Sequence, residues 1–312
     1  MTANDVTVAI PTVGRERPLV STIEALLCQR VPARLLLVID QSTSHDQETT
    51  ECLERWHAKG LVRWVRRPAA SVAGAMNQAL QTATTAVVLY LDDDIIPAPD
   101  LVAAHAAAFA ARPQAWAVAG QVLQPGESPT DLPGGGDRRV LYADLEFPFR
   151  SSRGSWVENV MAGNLAVKRE RVLGLGGFDE NFVPPVAYRF ETEFAKRLIR
   201  AGGQIWFEPS ATVRHLRAPS GGTRSLGSHL TSASPYHGVG DYYYALRCGG
   251  GGERLGYMMR RPLREVRTRF HLRHPWHIPA KFIGELRALA LAIRLYKQGP
   301  RLLGAGTMAG GG

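Results

Sequence analysis

The chain has 312 residues, 45% of them hydrophobic and 21% charged, enough to bury a substantial core and unlike a disordered protein. Three scattered cysteines, Cys28, Cys52 and Cys248, argue against a disulfide framework or zinc knuckle and fit a reducing, cytoplasmic compartment. The formal charge of +9 is concentrated, since residues 245–312 carry thirteen Lys and Arg against three Asp and Glu; the body is near neutral, which excludes a nucleic-acid-binding core and leaves a tail suited to an anionic partner.

The opening MTANDVTVAIP has no basic flank or long apolar stretch and reads as a first strand rather than a signal peptide. No window reaches the roughly eighteen uninterrupted apolar residues of a membrane span. Strands are predicted at 6–12, 35–40, 62–67, 87–92 and 116–122, with helices at 18–30, 46–59, 72–83 and 99–112 between them. This alternation predicts an α/β fold, with a mostly parallel, Rossmann-like sheet flanked by helices on both faces. Residues 124–158, rich in proline and containing Gly134-Gly135-Gly136, read as a long surface loop and candidate lid. Order resumes at 161–182, followed by a helix over 191–201 closed by Gly202-Gly203 and two short strands, QIWFEP and ATVRHLR. Residues 218–236 read as polar and flexible. A helix at 239–247, a glycine run at 249–252, an amphipathic stretch at 280–296 and a low-complexity end complete the chain.

Parallel sheets bind ligands beyond the carboxyl ends of their strands. Three polar clusters fall there: Pro11-Thr12, Asp40-Gln41-Ser42 and Asp92-Asp93-Asp94. The last ends a buried-looking run, VVLYLDDD, where adjacent carboxylates repel and desolvation is costly. Strand ends and helix caps also favour Asp, so the triplet alone is ambiguous. A hard cation such as Mg²⁺ or Mn²⁺ would resolve the conflict, because it prefers carboxylate oxygen and is usually completed by phosphates. Strand alternation turns Asp92 and Asp94 to one side and Asp93 to the other.

Taken in order, VTVAIPTVGR, LLLVIDQS, SVAGAMNQAL, YLDDDIIP, MAGNLAVKRERVLGLGGFDENF and RFETEFAKRLIRAGGQIWFEPSATVRH resemble the motifs of glycosyltransferase family 2, inverting enzymes of the GT-A fold. The resemblance implies a catalytic domain at 1–235, with a nucleotide-sugar-binding half at 1–122 and an acceptor half at 123–235, followed by a basic helical extension at 236–312. It implies that Pro11, Thr12 and Asp40 lie at the base and ribose of a nucleotide-diphospho-sugar and that Asn77 is near the donor. Asp92 and Asp94 match the pair that contacts ribose and the divalent ion, with Asp94 the direct ligand and His215 completing the metal or diphosphate site. Asp93 is counted with the donor contacts although alternation turns it from the ion. Gly163, Asn164 and Asp179 fall on the acceptor side, where Asp179 suits either a contact to sugar hydroxyls or a turn.

An inverting transfer needs one base for the acceptor hydroxyl. The resemblance offers Glu191 and Glu193, and the register of FETEF favours Glu191, a Glu where the family usually has Asp. Met76 stands where the family often has Arg, so the donor grip passes to Arg15, Arg67 or the arginines at 214, 217 and 224. The implied acceptor is a polysaccharide or lipid-linked glycan. Arg260, Arg261, Arg264, Arg267, Arg269 and Arg273, interleaved with Tyr257, Phe270 and Trp276, suit an anionic membrane surface and a peripheral location, and equally a solvated helical extension packed on the catalytic domain. No nucleic-acid-reading module is recognisable in this tail. The alternatives are a non-catalytic GT-A domain that binds a sugar nucleotide or glycan within an assembly complex, and a nucleotidyltransferase. The latter would want a more glycine-rich loop than PTVGRERP.

Overall fold

The computed structural model describes residues 1–132, 148–182, 188–218, 221–222 and 228–304. Its first part alternates as the periodicity predicts: β1 (Val6–Thr12), α1 (Arg17–Leu27), β2 (Leu35–Asp40), α2 (Gln47–Ala58), β3 (Arg63–Arg66), α3 (Val72–Thr82) and β4 (Val87–Leu91). Local chemistry fixes the helix starts. The Asp46 carboxylate accepts the Thr49 N–H to open α2, and the Ser71 hydroxyl accepts the Gly74 N–H to open α3. The strands pair in parallel in the order β3-β2-β1-β4. All five residues of β4 are buried, the continuous apolar run expected of a parallel strand covered on both faces.

The second part comprises β5 (Ile95–Pro97), α4 (Leu101–Ala111), β6 (Ala115–Leu123), β7 (Ser155–Val157), β8 (Asn164–Lys168), α5 (Arg169–Gly174), α6 (Phe190–Arg200) and β9 (Gln204–His215). The sheet continues from β4 through β8, β6 and β9 to β5, with β7 along β9. Antiparallel pairing turns β8, β5 and β7 against the rest, so β1, β2, β3, β4, β6 and β9 share one direction and the sheet is mostly parallel. The two short strands expected at 204–217 are one. Opposite Gly120 and Gln121, the ladder jumps from Glu208 to Thr212, leaving residues 209–211 as a bulge. Pro209 has no N–H to continue the ladder. The Asn164 amide fills the gap by donating to the carbonyls of Gln121 and Ala211 (3.1 and 2.8 Å). Residues 133–147, the middle of the expected lid, lie outside the described residues, as do parts of the 218–236 segment and of the low-complexity end.

The C-terminal part folds onto this unit as α7 (Val239–Cys248), α8 (Gly251–Val266), α9 (Arg269–Arg273) and α10 (Ile278–Gln298). The glycine run ends one helix and begins the next, so the expected helical extension includes α8, whose bounds no pattern in the sequence had marked. Tyr242, Tyr243 and Tyr244 of α7 are all fully buried, and α7 packs between α6 and α10. A buried ion network joins the helices: Arg261 meets Asp241 and Glu285 at 3.0 Å, and Lys281 meets Glu285 at 2.8 Å. Arg261 and Tyr257, read from the sequence as part of a basic surface, therefore point inward, because Asp241 needs partners that the core must supply. The chain end also clasps the loop after α5. Asn181 donates to the Gly299 carbonyl (2.6 Å), and the Arg301 N–H donates to Asp179 (2.9 Å).

At the centre of this contact Phe194 of α6 packs on Phe178 with ring centroids 4.4 Å apart, both fully buried. Phe194→Ala is expected to destabilise the fold by about 3–5 kcal/mol, the range for an emptied aromatic site, measured by urea unfolding. A loss below about 1 kcal/mol would mean that α6 is not anchored there.

Candidate active site

In the register of β1 and β2, Thr12 and Asp40 sit side by side at the carboxyl ends of their strands. Asp40 is fully buried and densely bonded. Its Oδ1 accepts the Ser42 N–H (2.8 Å), and its Oδ2 accepts the Trp64 indole N–H (2.9 Å) and lies 3.1 Å from His45 Nε2. Burial alone would raise its pKa, but the His45 and Ser42 hydrogen bonds outweigh it and hold the carboxyl at about 2. The Asp40 hydrogen bond raises His45 in turn, against the opposing effect of burial, with Glu16 on its other ring nitrogen. Neither His45 nor Trp64 was singled out from the sequence. A lone loop histidine and an aromatic at a strand centre carry no pattern that would reveal them.

The turn from β4 into β5 carries the three aspartates and separates their fates. Asp93 points into the protein, where its two oxygens accept the Thr12 hydroxyl (2.7 Å) and the Arg15 Nε–H (3.0 Å). Burial pushes its pKa up to about 6, against the pull of Arg15 and Thr12. Thr12, Arg15 and Asp93, grouped with donor contacts from the sequence, thus bond to one another. The Arg15 guanidinium is itself buried and also donates to Asp94 Oδ2 (3.1 Å) and the Ala218 carbonyl (3.3 Å).

Asp94 Oδ2 also accepts the Ala218 N–H (2.8 Å), while its Oδ1 faces His215 Nε2 at 3.1 Å. The short strand β5 makes this meeting possible, because it pairs antiparallel with the end of β9 and sets Ile95 opposite His215. Burial opposes ionisation of Asp94, but the His215 and Ala218 hydrogen bonds and Arg15 leave its pKa below the ordinary value. Ligand atoms of Asp92, Asp94 and His215 all lie within 4.8 Å of one another. Two carboxylates and an imidazole nitrogen at this spacing form a donor set that fits a hard divalent cation, whose charge would relieve the repulsion between the acids. Gly163 makes room for the cluster: a Cβ there would stand 2.2 Å from Asp92 Oδ2.

The two candidate bases differ sharply. Glu193 is buried and bound in a fork by Arg197 of the same helix, at 3.0 and 3.1 Å. Glu191, half-buried, accepts the Ala162 N–H at 2.5 Å. Its pKa is pushed up to about 7 by burial, with the nearby Asp92 charge adding to the rise and the Ala162 hydrogen bond opposing it. The loop 161–163 therefore has Glu191 on one side and Asp92 on the other, since the Asp92 N–H donates to the Gly163 carbonyl (3.3 Å).

Several predicted residues are not brought to this cluster as free groups. Asn77 binds the Phe178 backbone at both its N–H and its carbonyl (2.8 and 2.9 Å) and Glu180 (3.0 Å). Asn164 is committed to the β9 bulge and to His105 (2.8 Å). Asp179 accepts from the Tyr243 hydroxyl (2.7 Å), the Asn181 N–H and the chain end. Pro11 lies in the β1–β2 register opposite Ile39. Of the arginines offered as donor contacts, Arg67 lies against Gly74 and approaches Glu180 (3.7 Å), and Arg217 donates to Gln124 (2.8 Å). Arg214 pairs with Ile96 in the sheet, and Arg224 lies outside the described residues.

The family model of glycosyl transferase family 2 matches residues 7–164. No curated protein matches the chain. Among solved structures, it is similar to the mannosyltransferase PcManGT from Pyrobaculum calidifontis in complex with GDP-Man and Mn²⁺. That likeness has 17% identity and a TM-score of 0.50, over 94% of this chain and 74% of that one. GalNAc-T7 with UDP, GalNAc and Mn²⁺ is similar at 18% identity and a TM-score of 0.55, over 78% of this chain and 50% of that one. TarS of S. aureus is similar at 12% and 0.51, over 91% and 43%. The chain thus spans half or less of the last two proteins, and at these identities the likeness is one of fold.

Gly163→Ala tests the packing of the cluster. The clash falls on the tip of the Asp92 side chain, so the fold is expected to survive while Mn²⁺ affinity, measured by calorimetry, drops about tenfold or more. Unchanged affinity would mean that Asp92 is not held in place by this contact.

Proposed function

The chain belongs to glycosyl transferase family 2, and on that premise we propose an inverting, divalent-metal-dependent transfer of a sugar from a nucleotide-diphospho-sugar to a hydroxyl of a polysaccharide or lipid-linked glycan. Asp94 Oδ1, Asp92 and His215 would hold Mg²⁺ or Mn²⁺. Bound there, the ion supplies Lewis-acid stabilisation of the charge that builds on the departing diphosphate. Thr12, Arg15 and Asp93 brace the cluster from within the protein. Asp40, fully buried and held ionised by the His45 and Ser42 hydrogen bonds, fixes the loop after β2 at the edge where the donor nucleoside would lie.

The observation that carries the reading is the difference between the two glutamates. Arg197 neutralises Glu193. Glu191 sits across one short loop from Asp92 with a pKa near 7, where a carboxylate balances basicity against ionisation near neutral pH. In this reading Glu191 takes the acceptor hydroxyl proton as the new bond forms on the face of the sugar opposite the leaving diphosphate. The extra methylene of Glu relative to Asp lets a base at the start of α6 reach further toward that hydroxyl.

Glu191→Gln is expected to leave nucleotide-sugar affinity nearly intact and to lower turnover by about 10²–10⁴, whereas Glu193→Gln lowers stability more than turnover. Because the base acts when ionised and its pKa is raised, turnover in the wild type should climb with pH through a midpoint near 7. A profile flat from pH 6 to 8, or collapse in the Glu193 variant alone, would reject Glu191 as the base.

A further inference from the structure

We propose that the outer face of α8, continued by α9 and Trp276, docks on a bilayer surface containing anionic phospholipid. Leu255, Met259 and Leu263 recur at every fourth residue along α8 and are 56%, 67% and 49% exposed. That spacing keeps them on one stripe of the helix. Arg260, Arg264 and Arg267 are exposed on the stripe beside it. Just beyond, Leu272 and Trp276 stand 77% and 67% exposed. A large exposed indole beside leucine, set edge-on to His274 and near His277, is unusual on a water-facing surface and typical of a membrane interface.

The inward side of α8 explains the charge of its outward side. Segment 251–277 carries seven arginines and two glutamates. The acids packed beneath, Asp241 and Glu285, are buried and consumed by Arg261 and Lys281. They therefore do not screen the outer arginines, although Glu265 of α8 itself meets Arg264 at 3.2 Å. What remains outside is an apolar stripe flanked by cations, the arrangement in which leucine and tryptophan enter the headgroup boundary while arginine stems lie flat and their heads reach phosphate.

Charge selects this occupant over a second copy of the chain. A two-fold interface through this face would press one arginine stripe near its symmetry mate. Nor does any helix among the described residues have the length and apolarity to cross a membrane, so contact through α8 would be in the plane of the surface. The inference is independent of the donor chemistry, and its readout needs neither donor nor metal. It would place a transferase of lipid-linked glycans at the surface where such acceptors reside.

The test is co-sedimentation of the full chain with vesicles of phosphatidylcholine alone or mixed with phosphatidylglycerol. The wild type should bind the mixed vesicles, bind the neutral ones weakly, and release as salt rises. Leu255→Glu/Met259→Glu/Leu263→Glu should lose binding with its melting temperature retained. Arg260→Gln/Arg264→Gln/Arg267→Gln should weaken binding about tenfold or more and flatten its salt dependence. Equal binding of wild type and the triple-Glu variant would overturn the proposal. So would a wild-type dimer in sedimentation equilibrium that the triple-Glu variant dissolves, which would assign the face to a second copy. Because the readout is sedimentation, failure here leaves the transfer reaction untouched.

Discussion

Three consecutive carboxylates at the end of a fully buried strand are the constraint around which the rest of the site is arranged. Left unpaired they would repel one another and lose hydration, a combination that no apolar packing offsets. The fold separates them. Asp93 is drawn inward to Thr12 and Arg15, and Arg15 reaches on to Asp94, so one buried guanidinium serves two neighbouring acids. Asp94 then has one oxygen fixed by Arg15 and the Ala218 N–H, and the other left facing His215. The proposed metal cluster is thus the remainder of an internal charge balance, with Asp92 the more open member and Asp94 the rigid one.

The proposed base depends on a second set of charges, supplied from the C-terminal helices. Arg189, immediately before α6, adopts a left-handed conformation with φ of 72°, costly for a residue with a side chain. Its guanidinium meets Asp241 of α7 at 2.8 Å, and Asp241 is bound in turn by Arg261 of α8. The turn that presents Glu191 is therefore tied to the helices that follow the sheet. Those helices bury their acids toward α6 and leave arginines outside, so one network both ties down the α6 start and leaves the outer surface basic.

Much of this was legible in the sequence where a pattern repeats. Strand and helix periods located β1 to β4 and the helices between them, and the coincidence of Thr12, Asp40 and the aspartates at one sheet edge followed from chain direction alone. Asp93 does part from its neighbours, but in the turn that follows β4, where the Thr12 and Arg15 contacts and not strand alternation set its direction. What escaped detection depends on pairing between distant segments. Three residues, Ile95 to Pro97, gave no strand signal of their own, yet their pairing with β9 is what delivers His215 to Asp94. The split between QIWFEP and ATVRHLR reflected Pro209, whose disruption is absorbed as a bulge instead of ending the strand. The α8 helix was hidden by glycines at its start and Pro262 within it, both poor helix formers overridden by the buried Arg261 and Tyr257 contacts. Asn77, Asn164 and Asp179 are polar residues in recognisable motifs, and their side chains are occupied in holding loops together, a pairing that the motifs do not display.

The most direct measurement of the central claim is a titration of Mn²⁺ followed by electron paramagnetic resonance, with wild type and Asp94→Asn compared in the presence of a nucleoside diphosphate. A single site in the wild type, weakened by about tenfold or more in the variant while Arg15 keeps the fold intact, is the result expected if Asp94 is the rigid arm of the cluster. Equal Mn²⁺ affinity in the two proteins would contradict it.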